Sequence, residues 1–320
     1  MDLSIISVNW NSVRYLRDCL RSIYRFTTGV SFEVIIVDNA SSERDVDSLY
    51  ALFPDIRIIQ SIRNLGFAAA NNVAFTHSSG DYIVFINPDT TLVGPAITTL
   101  YNAIRSLPDA GMVGGTLLNP DLSVQSESIQ TFPTILNQVL DSQHLRKVWP
   151  GCPLWDGRPS AAAPGVPARV DMIPGPCMVV KRTAFEAVGG FTEDYFMYAE
   201  DIDLNYKMAQ LGLHRYYIES AQIIHHGGTS SKKQSMSQWP TMMKFRAMLL
   251  YYGRTRGELY ALMYRLAMGG NAVIRLVLLG LAFPFAMVSR GAERVAWAAA
   301  KWRAVLRCAV GLHNLPSPQH

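Results

Sequence analysis

Between residues 3 and 114 the chain repeats one pattern: a short, almost unbroken apolar run followed by a stretch of helical spacing. The runs fall at 3–8, 32–37, 56–59 and 82–86, and a fifth begins at Met112. Between them lie a stretch with Leu16, Leu20, Ile23 and Tyr24 on one helical face, then helical stretches at 66–78 and 94–106. A strand that is apolar at consecutive positions has to be covered on both faces. Strands that alternate with helices are joined by right-handed crossovers. The pattern therefore predicts an α/β fold: a Rossmann-like, mostly parallel central sheet flanked by helices.

Three of these runs end in polar clusters: Asn9-Trp10-Asn11-Ser12, Asp38-Asn39-Ala40-Ser41-Ser42 and Asn87-Pro88-Asp89. Asn, Asp, Ser and Pro also make turns and helix caps. Three such clusters at equivalent strand ends favour a ligand site, because open α/β sheets bind ligands beyond the carboxyl ends of their strands.

Residues 119–170 are rich in Pro, Gly, Ala and polar residues and show little periodicity. They read as a long excursion, partly helical near 133–146, with a flexible stretch at 159–167. Order resumes at 170–180, with a helix at 182–188 and then Gly189-Gly190-Phe191. Tyr198-Ala199-Glu200-Asp201-Ile202-Asp203-Leu204 opens a helix that runs to about residue 211, its acidic first turn suited to the helix dipole. Short strands are expected at 216–218 and 222–224, the second running into His225-His226-Gly227-Gly228.

The last ninety residues differ in charge. Residues 1–231 carry 16 Lys and Arg against 23 Asp and Glu, net −7, whereas residues 232–320 carry 13 Lys and Arg against Glu258 and Glu293, net +11. This segment reads as apolar helix punctuated by basic residues, which points to an anionic surface. Its longest uncharged run, 276–288, is broken by Pro284 and falls short of the ~20 residues that cross a bilayer. Interfacial helices are the expectation. A composition that is 49% hydrophobic and 17% charged excludes a disordered chain. Cys19, Cys152, Cys177 and Cys308 are too sparse and too far apart for a zinc finger or a disulfide scaffold. The first residues lack the features of a signal peptide, so a reducing cytoplasm is the expected compartment.

Seven fragments, in order over residues 3–231, resemble the inverting, GT-A fold glycosyltransferases of family 2, of the bacterial rhamnosyltransferase-like type. They are Ser7-Val8-Asn9-Trp10-Asn11; Val37-Asp38-Asn39-Ala40-Ser41; Asn64-Leu65-Gly66-Phe67-Ala68 with Asn71-Asn72; Asn87-Pro88-Asp89; Gly189-Gly190-Phe191; Phe196-Met197-Tyr198-Ala199-Glu200-Asp201-Ile202-Asp203-Leu204; and His225-His226-Gly227-Gly228-Thr229-Ser230.

The resemblance implies a nucleoside-diphosphate sugar as donor and a divalent metal, Mg²⁺ or Mn²⁺, on its diphosphate. The family's Asp-x-Asp stands here as Asn87-Pro88-Asp89, so Asp89 is the expected metal ligand and Asn87 is assigned to ribose or a metal-bound water. His225 matches the family's metal-binding histidine, in preference to His226. Asp38 matches the carboxylate that accepts from the pyrimidine or ribose. Asn9, Arg63, Asn64, Gly66 and Asn71 complete the expected donor-binding set. Inversion in one step needs a base for the acceptor hydroxyl. The resemblance gives that role to Asp201, with Glu200 shaping the acceptor site and Asp203 structural.

A dinucleotide-dependent oxidoreductase would need GxGxxG after the first strand, which Asn9-Trp10-Asn11-Ser12 lacks. A nucleotidyltransferase would need a Gly-rich basic loop there. A non-catalytic membrane-associated scaffold with a degenerate site would leave the polar strand ends without purpose. The expectation is a GT-A catalytic domain over 1–231, its nucleotide-binding part about 1–118 and its acceptor part about 170–231. A C-terminal helical extension over 232–320 would bind an anionic membrane or join a homo-oligomer. The donor expected first is dTDP-L-rhamnose and second a UDP-sugar. The acceptor is a lipid-linked or polysaccharide hydroxyl in cell-surface glycan synthesis. The expected place is peripheral, on the cytoplasmic face of the inner membrane, with no nucleic-acid partner.

Overall fold

Strict alternation within the apolar runs sorts their side chains onto two faces of one sheet. Leu3, Ile5, Val34, Ile36, Val84 and Ile86 point to one face, and Ile6, Ile35, Val37, Ile83 and Phe85 to the other. The computed structural model describes residues 1–312 apart from 44, 126–127, 141–144, 146–147, 150, 156, 158–164, 228–237 and 289–291, and omits the side chains of 285–288. Most of the stretch expected to be flexible at 159–167, the Gly228-Thr229-Ser230 fragment and the boundary expected at 231 lie outside the described residues.

The elements in chain order are β1 Leu3–Asn9, α1 Val13–Phe26, β2 Phe32–Asp38, a 3-10 turn Val46–Ala51, β3 Arg57–Gln60, α2 Phe67–Thr76, β4 Tyr82–Ile86, β5 Thr90–Leu92, α3 Ala96–Ser106, β6 Ala110–Leu118, α4 Ile135–Leu140, β7 Ala168–Val170, β8 Cys177–Lys181, α5 Arg182–Ala187, α6 Glu200–Gln210, β9 His214–His225, α7 Trp239–Arg256, α8 Glu258–Val288 and α9 Ala292–Ala309. The sheet runs β3-β2-β1-β4-β8-β6-β9-β5, with β7 also paired to β9. The strands β3, β2, β1 and β4 are mutually parallel, as expected. Beyond β4 the sheet is mixed: β8 is antiparallel to β4 and β6, whereas β6 and β9 are parallel. One face is covered by α1 and α3, through Leu16, Leu20, Ile97 and Leu100. The other is covered by α2, α5 and α6, through Ala70, Ala74, Phe185, Leu204 and Met208.

Two local expectations are corrected. The two short strands expected at 216–218 and 222–224 are one strand, β9. Its register jumps from Gly115↔Ile218 to Thr116↔Gln222, so residues 219–221 bulge out. A side chain at Gly115 would collide with the Ala221 carbonyl, so glycine makes the bulge possible. Tyr24 is not on the buried face of α1 but at its edge, stacked on Phe53 with ring centroids 5.3 Å apart. The helical extension shares a core with the sheet-bearing part. Met248, Tyr251, Tyr252, Tyr264 and Met268 of α7 and α8 cluster with Tyr195 and Ala199, directly before α6. One face of the extension is therefore used by the chain itself.

Candidate active site

In-register pairing of β1 with β2 sets Asn9 beside Asp38. Both are buried, and the Asn9 amide donates to Asp38 Oδ1 at 2.9 Å and to Ser41 Oγ at 3.1 Å. Ser41 also donates to Asp38 Oδ1, at 2.5 Å, and Ser12 donates to Asn9 Oδ1, at 3.0 Å. These polar side chains bond one another across two strand ends, and Ser12 makes no side-chain cap bond to α1. Asn39 holds the next loop: its amide donates to Asn64 Oδ1 (2.9 Å) and to the Gly66 carbonyl (3.2 Å), and its oxygen accepts from the Leu65 N–H (2.8 Å). Gly66 has φ +81°, and a side chain there would strike the Phe196 carbonyl, which already accepts from the Phe67 N–H at 2.8 Å. Glycine is required on both counts. Arg63 is exposed. Asn71 is buried in α2 and donates back to the Phe67 carbonyl at 2.9 Å, so the structure places it in the packing of that helix. Its neighbour Asn72 ties α2 to Phe191 with a reciprocal backbone pair at 2.8 and 2.9 Å.

The Asn87-Pro88-Asp89 turn joins β4 to β5, and β5 pairs with the end of β9 so that Thr90 faces His225. This brings Asp89 Oδ1 to 3.6 Å from His225 Nε2. Two ligands bound at right angles about 2.1 Å from one cation stand about 3 Å apart, so a small adjustment lets both reach one ion. Asn87 Oδ1 is buried without a hydrogen-bond partner, and a buried orphan acceptor at such a place suits a ligand or an ion. The residues present fit a divalent cation, which Asp89 and His225 would hold together with ligands supplied from outside the chain. No group of three or more His, Cys, Asp or Glu able to hold a metal occurs among the described residues. The His226 ring lies against Tyr15 instead, with centroids 5.8 Å apart.

The carboxylate pair stands at the N-terminus of α6, behind two non-glycine residues in left-handed conformation, Tyr198 (φ 71°) and Ala199 (φ 63°). Strain of this kind costs on the order of 1–3 kcal/mol per residue. It turns the chain so that Glu200 is buried, with Oε2 unpartnered. Burial, and next the charge of Asp201, push the Glu200 carboxyl up to about 8. Burial also raises Asp201, but the N–H groups of Gly175 (3.0 Å) and Ile202 (2.9 Å) and the Lys244 ammonium oppose the rise. Burial without a partner therefore favours the protonated form at Glu200, whereas the two amide bonds favour the charged form at Asp201. Asp203 accepts from Thr192 (2.6 Å) and faces Lys207 (3.6 Å), holding the helix to the preceding loop.

One backbone segment joins the Asn87-Pro88-Asp89 turn to this pair. The Pro176 carbonyl accepts from the Asn87 N–H at 2.9 Å, Gly175 donates to Asp201, and Asn205 of α6 clasps Ile173 by two bonds of 2.9 Å. Sequence reasoning missed this strap. It also missed the work of Asn39 and Ser41, although both stand in the Val37–Ser41 string that drew attention to Asp38. Pro174-Gly175-Pro176 was the one available signal for the strap, since prolines flanking a glycine leave a single N–H free to donate.

The description "Glycosyl transferase family 2" matches residues 4–188 of the chain. Among curated relatives, an N-acetylglucosaminyl-diphospho-decaprenol L-rhamnosyltransferase of Mycobacterium tuberculosis is 27% identical over 246 residues, covering 73% of this chain and 79% of that protein. Rhamnosyltransferase WbbL of Escherichia coli is 27% identical over 190 residues, covering 57% of this chain and 69% of that protein. Among solved structures, the mannosyltransferase PcManGT of Pyrobaculum calidifontis, in complex with GDP-Man and Mn²⁺, superposes with a TM-score of 0.57 at 17% identity, covering 96% of this chain and 86% of that one. A crystal structure of GalNAc-T7 with UDP, GalNAc and Mn²⁺ superposes at 0.54 and 11% identity, covering 70% and 43%. These two likenesses are of fold, the GT-A arrangement expected from the sequence.

Proposed function

This chain belongs to glycosyl transferase family 2, and on that premise we propose that it moves a sugar with inversion from a pyrimidine-diphosphate donor to a hydroxyl of a lipid-linked glycan for the cell surface. The donor proposed first is dTDP-L-rhamnose, in keeping with the rhamnosyltransferases among its relatives, and second a UDP-sugar. The observation that carries the reading is the Glu200–Asp201 pair at the start of α6: Asp201 accepts from the N–H groups of Gly175 and Ile202, beside a buried Glu200 whose Oε2 has no partner. In this reading Asp38, held by Asn9 and Ser41, accepts from the nucleoside. Asp89 and His225 would hold Mg²⁺ or Mn²⁺, which when bound would supply positive charge against the leaving diphosphate. Asp201 takes the proton of the acceptor hydroxyl as it attacks the sugar carbon from the face opposite the diphosphate. The strap 173–176 fixes the base relative to Asn87. The test is a panel of nucleotide sugars offered to purified protein with Mg²⁺ or Mn²⁺, the anomeric configuration of the product being read by NMR. Retention of configuration, or no binding of any pyrimidine-diphosphate sugar, refutes the proposal.

The same proposal puts the enzyme peripherally on an anionic membrane, at the cytoplasmic face. By length and composition α8 is able to cross a membrane over Glu258–Pro284, and little of that stretch is buried. The uncharged run at 276–288 understated the helix, because Arg265 and Arg275 sit within it on protein partners, Arg265 on the Ala309 carbonyl (2.6 Å) and Arg275 over the Trp302 ring (4.8 Å). From Tyr260 to Arg275 the helix is also tied to α4. Tyr260 accepts from the Ile135 N–H (3.2 Å), and Asn271 (3.0 Å) and Arg275 (3.4 Å) donate to the Val139 carbonyl. The thirteen residues beyond Arg275 span about 20 Å, less than the ~30 Å of a hydrocarbon core. Meanwhile Leu259, Leu262, Leu266, Ile274, Leu278 and Leu281 form an exposed apolar stripe. An in-plane helix uses that stripe and the basic residues of the region together. Flotation with anionic liposomes that weakens with salt supports this reading. Detergent-requiring, salt-insensitive association supports a span, and a dimer without flotation supports a homo-oligomeric interface.

A further inference from the structure

Gln125 lies outside every motif that led to the site. It follows the turn in which the Asn119 N–H donates to the Ser123 carbonyl (2.8 Å), and its own N–H donates to the Leu117 carbonyl of β6 (2.8 Å). With its backbone anchored there, the side chain crosses to the last residue of β9 and makes two contacts. Nε2 donates to the His225 carbonyl at 2.7 Å, and Oε1 lies 3.2 Å from His225 Nδ1. The first contact determines the second. A backbone carbonyl only accepts, so the amide nitrogen must face it and the amide oxygen must face the ring. An amide oxygen also only accepts, so Nδ1 must carry a hydrogen. In the neutral imidazole the lone pair then resides on Nε2, the atom that faces Asp89 Oδ1 at 3.6 Å.

We propose that Gln125 is a positioning residue for a divalent cation: it fixes the tautomer and ring plane of His225 so that Nε2, together with the Asp89 carboxylate, is presented to the ion. The proposal rests on the reading of Asp89 and His225 as the cation's protein ligands. Removing Gln125 removes the acceptor that holds the hydrogen on Nδ1, so that the ring can carry it on Nε2 instead, which removes the ligand. Because glutamine is neutral, it orients the imidazole without adding charge to a site that has Asn87 where the family's motif has a carboxylate.

Two measurements test this. In metal-free protein labelled with ¹⁵N-histidine at pH 8, long-range ¹H–¹⁵N correlation reads the tautomer of His225, assigned by the loss of its signals in His225→Ala. The wild type is expected to show Nδ1–H and an unprotonated Nε2, and Gln125→Leu to shift toward Nε2–H. Mn²⁺ titration followed by electron paramagnetic resonance is expected to show affinity about 10–100-fold weaker in Gln125→Leu, with an unchanged far-UV spectrum. An Nε2–H tautomer in the wild type overturns the proposal whether or not the variant folds. So does Mn²⁺ binding that depends on His225 but is as tight in Gln125→Leu as in the wild type. Mn²⁺ affinity that His225→Ala leaves unchanged overturns the ligand reading itself, and the proposal with it.

Discussion

Replacing Glu200 with glutamine separates a protonated carboxyl from an ionised one. The Glu200 carboxyl ordinarily titrates near 4.5, and burial pushes it up to about 8 in the folded chain. Between those values the folded state holds a proton that the unfolded state has released. Stability is fullest below about 4.5 and declines as the pH rises toward about 8. Each pH unit in that window removes about 1.4 kcal/mol, so Glu200 alone costs about 4 kcal/mol between pH 5 and pH 8. Glutamine has the shape of the protonated acid and does not titrate. Urea denaturation of wild type and Glu200→Gln at pH 5, 6, 7 and 8 is expected to show the variant losing several kcal/mol less over the range. Transfer at pH 7 should be retained, because a neutral amide stands in for the neutral acid. Parallel stability curves, or loss of transfer as complete as removal of Asp201 would give, would show that Glu200 is ionised at neutral pH and refute the division of roles.

Two further substitutions probe the donor side. Asp38→Ala should weaken binding of free dTDP or UDP by about tenfold or more, since a hydrogen bond to a charged group contributes about 1.5–3 kcal/mol; calorimetry in which the free nucleotide binds as before would move Asp38 to the sugar. Gly66→Ala should lower stability by at least about 2 kcal/mol, because φ +81° is strained for alanine and the new methyl meets the Phe196 carbonyl; an unchanged urea midpoint would refute the close approach of α2 to that loop.

Much of the polar cluster at the strand ends was legible because a strand end is a local feature. The runs at 3–8, 32–37 and 82–86 end where β1, β2 and β4 end, and parallel register then sets Asn9 against Asp38 without further instruction. Asn71 belongs to the same fragment as Asn64 and Gly66, and one helical turn carries its side chain back onto Phe67, a contact that the fragment alone does not show. The single strand β9 was hidden by Glu219-Ser220-Ala221, which reads as a turn until Gly115 on the neighbouring strand makes room for the bulge. The full length of α8 was hidden by its arginines, whose partners come from α9 and α4. Gln125 and the strap 173–176 act on residues 100 and 26 positions away, a separation that no local pattern encodes. The pairing of glutamic with aspartic acid was visible, but the strain at Tyr198 and Ala199 that buries one and leaves the other bonded to amides was not.

The central claim is that Asp201 is the base of an inverting transfer. The most direct test compares wild type and Asp201→Asn for transfer to a lipid-linked acceptor and, in parallel, for calorimetric binding of the same nucleotide sugar. The account predicts a loss of about 10²–10⁴-fold in transfer, with donor affinity within a few-fold of wild type and an inverted anomer from the wild-type enzyme. Near-normal turnover by Asp201→Asn, or a retained anomer, would contradict it.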